Sequence, residues 1–345
     1  MSEADSLGTV ISGSDVNRRM MERIRNYRVP WRASTQKPGG SWGGIGLLGV
    51  VGFAAPTLFF GESDYGYSFL LSIVIWTGLA ISWNAFSGLT GYLSLGHAAF
   101  FGVGAYTVAI LYPLLGAWPA LIAASISAGF LGLLLGFVSL RLRGLFFTMA
   151  TIGIAEVLRL GIMLTPNWTG GATGLTLGKL PLYSTTYKMS LAMLLVFIAL
   201  QLIIMSSVHG RRLIAIRDDE DALNAVGVAV SRYKVLSFSL SVMAAGFFGG
   251  IYTLQLGYVQ PEAVFPLIMS LTVVIMCLFG GIGTLWGPVF GAVLLCLLRE
   301  QLWFKYPTLW DLALGVLLVM IVLVMPGGFI GFLRRIVPPF RKHLL

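Results

Sequence analysis

Long apolar runs separated by short loops occupy most of this chain. A helix needs about 20 predominantly apolar residues to cross the hydrocarbon core of a bilayer, and most of the runs approach that length. They predict an all-α, polytopic transmembrane helical bundle of about eight to ten spans. The predicted spans lie at about 44–60, 69–86, 93–112, 118–140, 144–165, 190–208, 234–257, 267–280, 285–298 and 308–325.

Small residues interrupt the apolar run between 267 and 298. The interruption contains Gly280, Gly281, Gly283 and Gly287. Two arrangements fit this pattern: two short spans joined by a tight cytoplasmic turn, or one broken helix. A broken helix is tolerated in a membrane only where protein buries it or where it lines a cavity.

The composition excludes a water-soluble domain. Of 345 residues, 57% are hydrophobic and only 11% are charged, whereas soluble proteins have about 25% charged residues. The net charge of +9 comes from Lys and Arg in loops and termini, as in the cytoplasmic loops of membrane proteins, so no nucleic-acid partner is expected. Cys277 and Cys296 lie in apolar runs without a neighbouring His or Cys, and they predict neither a disulfide nor a metal site.

The basic clusters divide the chain and orient it. A basic cytoplasmic region, 1–43, precedes a transmembrane domain at 44–330, and a basic cytoplasmic tail occupies 331–345. Ten spans with both termini inside place the basic clusters on the cytoplasmic side, which predicts a multi-pass protein of the inner (plasma) membrane. Residues 16–27 fit either an amphipathic basic helix on the anionic leaflet or a disordered tail.

One long polar segment, 209–234, interrupts the apolar runs on the predicted cytoplasmic side. Its acidic run, 218–221, suits the positive end of a helix dipole, and Ala222 to Ala225 can continue that helix. Gly227 can end it as a C-cap. The predicted short helix lies parallel to the membrane, where it either docks into a soluble motor domain or is a solvated loop helix.

Small and polar residues within one predicted span are candidates for a translocation path. The stretch 87–106 is rich in Gly and Ala, which lets backbone approach a substrate or a neighbouring helix closely. His97 fits either a structural hydrogen bond or a transport role. The candidates in this stretch are Ser94, Gly96, His97, Gly102 and Gly104.

Glu156 and Arg159 place an acid and a base together inside one predicted span. At positions i and i+3 of a helix they can pair, which lowers the cost of burying either group. The pair therefore either stabilises the helix or serves the pathway or a gate. The outward loop Thr169–Gly174 is either a contact for an extracytoplasmic protein, a gate or an ordinary flexible loop, and Asn84 and Asp311 are weaker candidates.

Several short motifs carry a family resemblance. Residues 221–227 (DALNAVG) resemble the EAA-x-x-x-G signature of ABC importer permeases, with Asp221 in place of Glu and Leu223 in place of the second Ala. Further blocks are similar to those of branched-chain amino acid ABC permeases, at 88–106, 141–147, 169–175, 210–219 and 280–288. Over residues 70–335 the chain resembles the LivM-type permeases of the hydrophobic amino acid uptake family.

The resemblance implies the transmembrane permease subunit of an ATP-driven importer for branched-chain or related hydrophobic amino acids, with urea or amides as alternative substrates. It also implies a second homologous permease, two ATP-binding subunits and an extracytoplasmic substrate-binding protein as partners, all assembled at the lipid bilayer. The implied ATPase-coupling residues are Arg217, Asp218, Asp219, Glu220, Asp221, Ala222 and Gly227.

The chain is expected to be neither an enzyme nor a cofactor-binding protein. No G-x-x-x-x-G-K-[ST] phosphate loop occurs in its sequence, so ATP is expected on partner subunits. Paired carboxylates, a Ser/His set and metal-ligand spacing, which an intramembrane enzyme needs, are missing from the predicted spans. An autonomous ion-coupled transporter or channel is the alternative from another class, with Glu156 and Arg159 as its ionisable groups.

Overall fold

A computed structural model of the chain describes residues 38–60 and 63–305, together with positions 312, 315, 316, 319 and 320. The predicted basic helix at 16–27, most of the predicted span 308–325 with Asp311, and the basic tail 331–345 lie outside the described residues.

The described chain is built almost entirely from helices. In chain order they are α1 (Pro38–Phe60), α2 (Asp64–Trp83), α3 (His97–Leu115), α4 (Ala117–Ser139), α5 (Leu145–Met163), α6 (Pro166–Thr169), α7 (Tyr183–Ser206), α8 (Val208–Asp218), α9 (Glu220–Ala225), α10 (Val230–Leu256), α11 (Pro261–Val264), α12 (Leu267–Gly280) and α13 (Gly287–Lys305). A π-helical turn, Asn84–Gly88, continues α2, and a 3₁₀ turn occupies Gly171–Thr173. Strands β1 (Leu175–Thr176) and β2 (Tyr258–Val259) pair antiparallel.

Eight helical stretches of the described residues are long and apolar enough to cross a membrane. The predicted all-α polytopic bundle is thereby confirmed. Some helices begin earlier than their apolar runs because polar groups stabilise the first turn. The Ser63 hydroxyl, for example, accepts a hydrogen bond from the Gly66 N–H (3.2 Å), and Asp64 lies at the positive end of the α2 dipole.

The glycine-rich interruption joins two antiparallel helices, α12 and α13, so of the two arrangements open from the sequence the tight turn is the one present. A Cβ added at Gly280 would overlap the Gly287 carbonyl oxygen, and one at Gly291 would overlap that of Met276. The two backbones therefore touch along a short hairpin. Asn84 fastens its turn, because the Asn84 side chain donates to the Thr284 carbonyl (2.8 Å) and accepts from the Gly283 N–H (2.8 Å).

Helix α10 lies at the centre of the bundle and is the most deeply buried of the eight candidate spans. It touches α3 backbone to backbone, because a Cβ at Gly104 would overlap the Gly246 carbonyl oxygen. Two reciprocal hydrogen bonds join α10 to α2. The Ser82 hydroxyl donates to the Ser241 carbonyl (2.7 Å), and the Ser241 hydroxyl donates to the Ser82 carbonyl (2.6 Å).

The loops gather at two ends of the bundle. The polar-segment end comprises residues 84–97, 139–145, 206–230 and 280–287, and it is held together by contacts such as the Arg217–Gly88 hydrogen bond. The opposite end comprises residues 63–64, 115–117, 163–183 and 256–267. There β1 pairs with β2, and Arg159 forms an ion pair with Glu262 (2.8 Å).

Candidate coupling site and translocation path

The polar segment folds into two short helices, α8 and α9, each with a side-chain cap. The Ser207 hydroxyl accepts from the Gly210 N–H (3.3 Å) at the start of α8, and the Asp219 carboxylate accepts from the Ala222 N–H (2.9 Å) at the start of α9. Glu220 and Asp221 occupy the first turn of α9, where the helix dipole favours negative charge. Capping by Asp219 therefore places the acidic run at the bend between the two helices.

Gly227 terminates α9 in the way that its sequence position predicts. Its φ of 81° lies in the left-handed region that favours glycine. The Gly227 N–H donates to the Asn224 carbonyl (3.0 Å), and the Val228 N–H donates to the Leu223 carbonyl (3.1 Å), which together form a Schellman motif. The motif turns the chain sharply into α10.

The underside of α8 and α9 is apolar and packs on the loop between α2 and α3. Leu213, Ile216 and Leu223 are buried together with Leu89 and Val230. Helix α8 was not predicted from the sequence, although Leu213 and Ile216 have helical i, i+3 spacing. This small core keeps the two helices seated on the bundle.

A buried lysine ties α9 to three other elements. The Lys234 ammonium donates to Glu220 Oε1 (2.8 Å), to the Tyr92 hydroxyl (3.0 Å) and to the Leu140 carbonyl (3.2 Å). The Tyr92 hydroxyl donates in turn to Glu220 Oε2 (2.5 Å). Burial, together with the Glu220 carboxylate, raises the pKa of Tyr92, so Tyr92 acts as a neutral donor in this cluster.

Arg143 extends the cluster to the solvent-exposed surface. Its guanidinium donates to Asp221 Oδ1 (2.8 Å) and lies 3.9 Å from Glu220 Oε1. The hydrogen bond that the Asp221 carboxylate accepts is the main reason that the pKa of Arg143 is raised. The side chains of Arg143 and Asp221 are mostly exposed, so this pair contributes less to stability than the buried pair beneath it.

Arg217 connects α8 to the π-helical turn at the end of α2. Its guanidinium donates to the Gly88 carbonyl (2.8 Å), and burial lowers the pKa of Arg217 while the Asp218 carboxylate opposes that shift. Asn84, four residues before Gly88, holds the Gly281–Trp286 turn. A continuous set of contacts thus leads from the polar segment through α2 to the α12–α13 hairpin.

Five of the path candidates lie in close contacts: Ser94, Gly96 and His97 at the polar-segment end, and Gly102 and Gly104 further along α3. His97 is fully buried, with Nδ1 3.1 Å from the Ser94 hydroxyl and Nε2 3.0 Å from the Ser241 hydroxyl. Gly96 packs against Thr151 of α5, Gly102 against the ring of Phe265, and Gly104 against Gly246. These positions serve close packing within this chain, and their place on a translocation path stays a prediction.

Glu156 and Arg159 lie away from those residues, towards the opposite end. They form the predicted i, i+3 ion pair, and Arg159 also reaches Glu262 (2.8 Å) on α11. About half of the Glu156 side chain is exposed (52%). The structure therefore presents this carboxylate on the outer surface of the chain and does not enclose it.

The predicted outward loop is ordered by its own hydrogen bonds. The Thr169 hydroxyl donates to the Ile162 carbonyl (2.7 Å), and the Gly171 N–H donates to Thr169 Oγ1 (3.2 Å). The following residues pair as β1 with β2, and β2 contacts α3 and α10.

Comparison with known proteins identifies the family. The family described as "Branched-chain amino acid transport system / permease component" matches residues 67–325. The chain belongs to this permease family. It is 30% identical to the high-affinity branched-chain amino acid transport system permease protein LivM of Salmonella typhimurium over 307 residues, covering 79% of this chain and 71% of the relative. The LivM protein of Escherichia coli gives the same identity and coverage.

Relatives that cover less of the chain include permease proteins of autoinducer 2 import systems. The autoinducer 2 import system permease protein LsrC of Klebsiella pneumoniae is 30% identical over 224 residues, covering 61% of this chain and 62% of the relative. No solved structure matches the chain.

Three of the permease-family blocks identified in the sequence converge in space, whereas the block at 169–175 lies at the opposite end. The blocks at 88–106, 210–227 and 280–288 all lie at the polar-segment end, where they touch through Gly88, Arg217 and Gly283. Tyr92, Arg143 and Lys234 were not predicted from the sequence as partners of the acidic run. Lys234 lies at the start of an apolar run, 14 residues after Glu220. A charged residue in that position is the sequence signal from which its pairing with Glu220 could have been predicted.

Proposed function

We propose that this multi-pass membrane protein is the permease subunit of an ATP-driven importer that takes up branched-chain or related hydrophobic amino acids. The family match over residues 67–325 supports the permease role. The LivM proteins cover more of this chain (79%) than LsrC does (61%), which favours an amino acid over autoinducer 2 as substrate. The chain performs no covalent chemistry, and ATP is bound and hydrolysed by partner subunits.

The Lys234–Glu220 contact is the observation that carries the coupling mechanism. Asp218 and Asp219 are exposed on the outer side of α8 and α9, where a soluble ATP-binding subunit can reach them. The inner side is fixed by Glu220 to Lys234 and Tyr92. A displacement of α9 by the ATP-binding subunit is therefore passed to α10 and to the loop between α2 and α3.

The Arg217–Gly88 hydrogen bond is a second contact through which a displacement of α8 and α9 can reach the rest of the bundle. It reaches the π-helical turn and, through Asn84, the Gly281–Trp286 turn. π-Helical turns within α-helices recur at functional sites because they are local departures from regular packing. We assign this turn the role of the element that changes shape between the two transport states.

Helix α5 supplies the face that meets a second permease subunit across the path. It is among the least buried of the candidate spans, and it exposes Leu145, Phe146 and Met149. The half-exposed Glu156 on the same helix would be costly against lipid tails. A neighbouring permease or a water-filled path removes that cost, so α5 is the natural border of the translocation path.

The charge distribution supports an orientation in the inner membrane with the polar-segment end in the cytoplasm. Seven basic residues of the described chain lie in the loops, in α8 or in the first turns of α10 at that end: Arg141, Arg143, Arg211, Arg212, Arg217, Arg232 and Lys234. Cytoplasmic loops are enriched in Lys and Arg. The opposite end then faces an extracytoplasmic substrate-binding protein, and both termini are cytoplasmic.

Co-purification from the native membrane tests the assembly. A tagged chain is expected to carry a second permease and an ATP-binding subunit in fixed ratio. Charge reversal at Asp218 and Asp219 to Lys should release the ATP-binding subunit, while the matched reversal of Asp64 and Glu262 at the opposite end should retain it. A chain that purifies alone and transports without ATP would overturn the proposal.

Competition for uptake tests the substrate. Membrane vesicles containing the whole complex and its binding protein are expected to accumulate labelled leucine when ATP is supplied, and unlabelled isoleucine or valine should compete. If urea or acetamide competes and isoleucine does not, the transporter assignment stands and the amino acid assignment fails.

A further inference from the structure

An apolar groove opens on the surface of the bundle beside α8. Its volume is about 420 Å³. Leu133 of α4 and Ile204 of α7 form its walls, and Leu236, Leu240 and Met243 of α10 form its floor. His209 of α8 lies at the polar-segment end of the groove. Leu133 and Leu236 are substantially exposed, so the groove is open towards the surroundings of the bundle.

Arginines lie beyond the end of the groove that His209 lines. Arg232, Leu236, Leu240 and Met243 follow one face of α10 at helical spacing, so Arg232 continues the floor of the groove beyond its apolar part. On α8, His209 and Arg212 are three residues apart and share a face. The ring of Tyr233 joins the two helices.

Tyr233 holds these groups in place by ring contacts. Its ring centroid lies 5.1 Å from that of His209, and the Arg212 guanidinium carbon lies 4.9 Å from the Tyr233 centroid. The His209 Nε2 atom lies 2.8 Å from the Ser237 hydroxyl, at the boundary with the apolar floor. The polar end and the apolar groove are thus parts of one continuous surface.

The positive charge at this end has no internal counterion among the described residues. Arg212 and Arg232 form no ion pair in that part of the chain, in contrast to Arg143 and Lys234 nearby. Two uncompensated cations at the membrane-interface end of an apolar groove match a molecule with one negative headgroup and a hydrocarbon tail.

We propose that this groove is a binding site for an anionic phospholipid. The phosphate lies against Arg212 and Arg232, and an acyl chain lies along Leu236 and Leu240. An anionic headgroup is required because a zwitterionic one brings its own positive charge to the cluster. The site goes beyond the transport function and depends neither on the substrate nor on the coupling mechanism.

Native mass spectrometry of the purified full-length transporter, with phosphatidylglycerol or phosphatidylcholine added, tests the site. Each interfacial cation contributes about 1 kcal/mol to anionic lipid binding. Combined replacement of Arg212 and Arg232 by Ala is therefore expected to weaken phosphatidylglycerol binding roughly 10- to 30-fold. The matched control, Lys179 and Lys188 to Ala at the opposite end, removes the same charge and should leave binding unchanged.

A second variant tests the apolar part and keeps the cations. Leu240→Trp fills the groove and should also reduce phosphatidylglycerol binding, with an unchanged elution profile showing that the complex is intact. Equal binding of both lipids by the native chain, or unchanged phosphatidylglycerol binding after loss of Arg212 and Arg232, would overturn the proposal. A photo-reactive residue at position 236 that cross-links to a second permease and to no lipid would overturn it as well.

Discussion

Lys234 Nζ lies 2.8 Å from Glu220 Oε1, so a single buried ion pair joins the first turn of α9 to the second turn of α10. Both side chains are largely removed from solvent. Such a pair is strongly destabilising to break because the remaining charge has no equivalent partner. It is therefore the most sensitive point of the polar segment.

Lys234→Met should lower the free energy of unfolding by about 3 kcal/mol, because Glu220 is left buried with Tyr92 as its remaining close donor. Thermal unfolding of the purified chain in detergent measures the effect. The double variant Lys234→Met with Glu220→Gln should recover part of the loss, because it removes the uncompensated charge. A double variant that unfolds as early as the single one would contradict this account.

Arg143→Ala should lower stability far less than Lys234→Met does, although Arg143 touches the same acidic run. Its bond to Asp221 is solvent-exposed, and solvent screens the interaction. The same unfolding assay compares it directly with Lys234→Met. A loss in Arg143→Ala as large as in Lys234→Met would show that the exposed pair, and not the buried one, holds α9.

Gly104→Val should prevent folding or sharply reduce the yield of folded protein. A Cβ at Gly104 would overlap the Gly246 carbonyl oxygen and would push α3 away from α10. Gly153→Ala is the matched control. No heavy atom lies within 4 Å of a Cβ placed there, so the substitution should stabilise α5 by up to about 1 kcal/mol. Fluorescence-detected gel filtration reports both outcomes, and equal yields would argue against close packing at Gly104.

Two buried glutamines should respond in opposite directions to the same substitution. Among the described residues the Gln201 amide has no hydrogen-bond partner, whereas the Gln255 amide donates to the Ser68 carbonyl (2.9 Å) and to the Ser72 hydroxyl (2.9 Å). Gln201→Leu should raise stability by about 1 kcal/mol, and Gln255→Leu should lower it by about 1–2 kcal/mol. Unfolding midpoints that move in the same direction would refute this comparison.

His209 predicts a pH dependence of stability. Burial, with a smaller contribution from Arg212, lowers the pKa of His209 below its ordinary 6.5. The unfolded chain therefore binds a proton at a pH where the folded chain does not, so stability is complete above about pH 7 and falls as the pH drops below 6.5. In the His209→Gln variant the unfolding midpoint should change less between pH 7.5 and pH 5 than it does in the native chain. Parallel pH profiles would exclude His209 as the source.

The apolar runs predict most of the bundle because a membrane span needs only length and composition. They misplace helix ends where polar residues continue the helix, as at Asp64 and Tyr183. The C-cap at Gly227 is predictable because the motif is local. α8 was missed because its apolar positions are few and are surrounded by arginines.

Contacts between distant residues are what the sequence pattern leaves undetermined. Asn84 and Gly283 are 199 residues apart, and Lys234 lies 142 residues from Tyr92. Which helices are neighbours depends on packing of the whole bundle, which no local pattern encodes. The acidic run was recognised from the sequence, but the residues that hold it were not.

The α12–α13 hairpin has a consequence for how the protein enters the membrane. Helix α12 has 14 residues and so rises about 21 Å, less than the roughly 30 Å thickness of the hydrocarbon core. Its partner α13 carries Arg299 and Glu300. Helix α12 reaches the length of a candidate span only together with α11, and α13 is not among the candidate spans of the described residues, so the translocation machinery should release the two together. Because Asn84 closes their turn, helices made early in synthesis must already be in place to receive a pair made near the end.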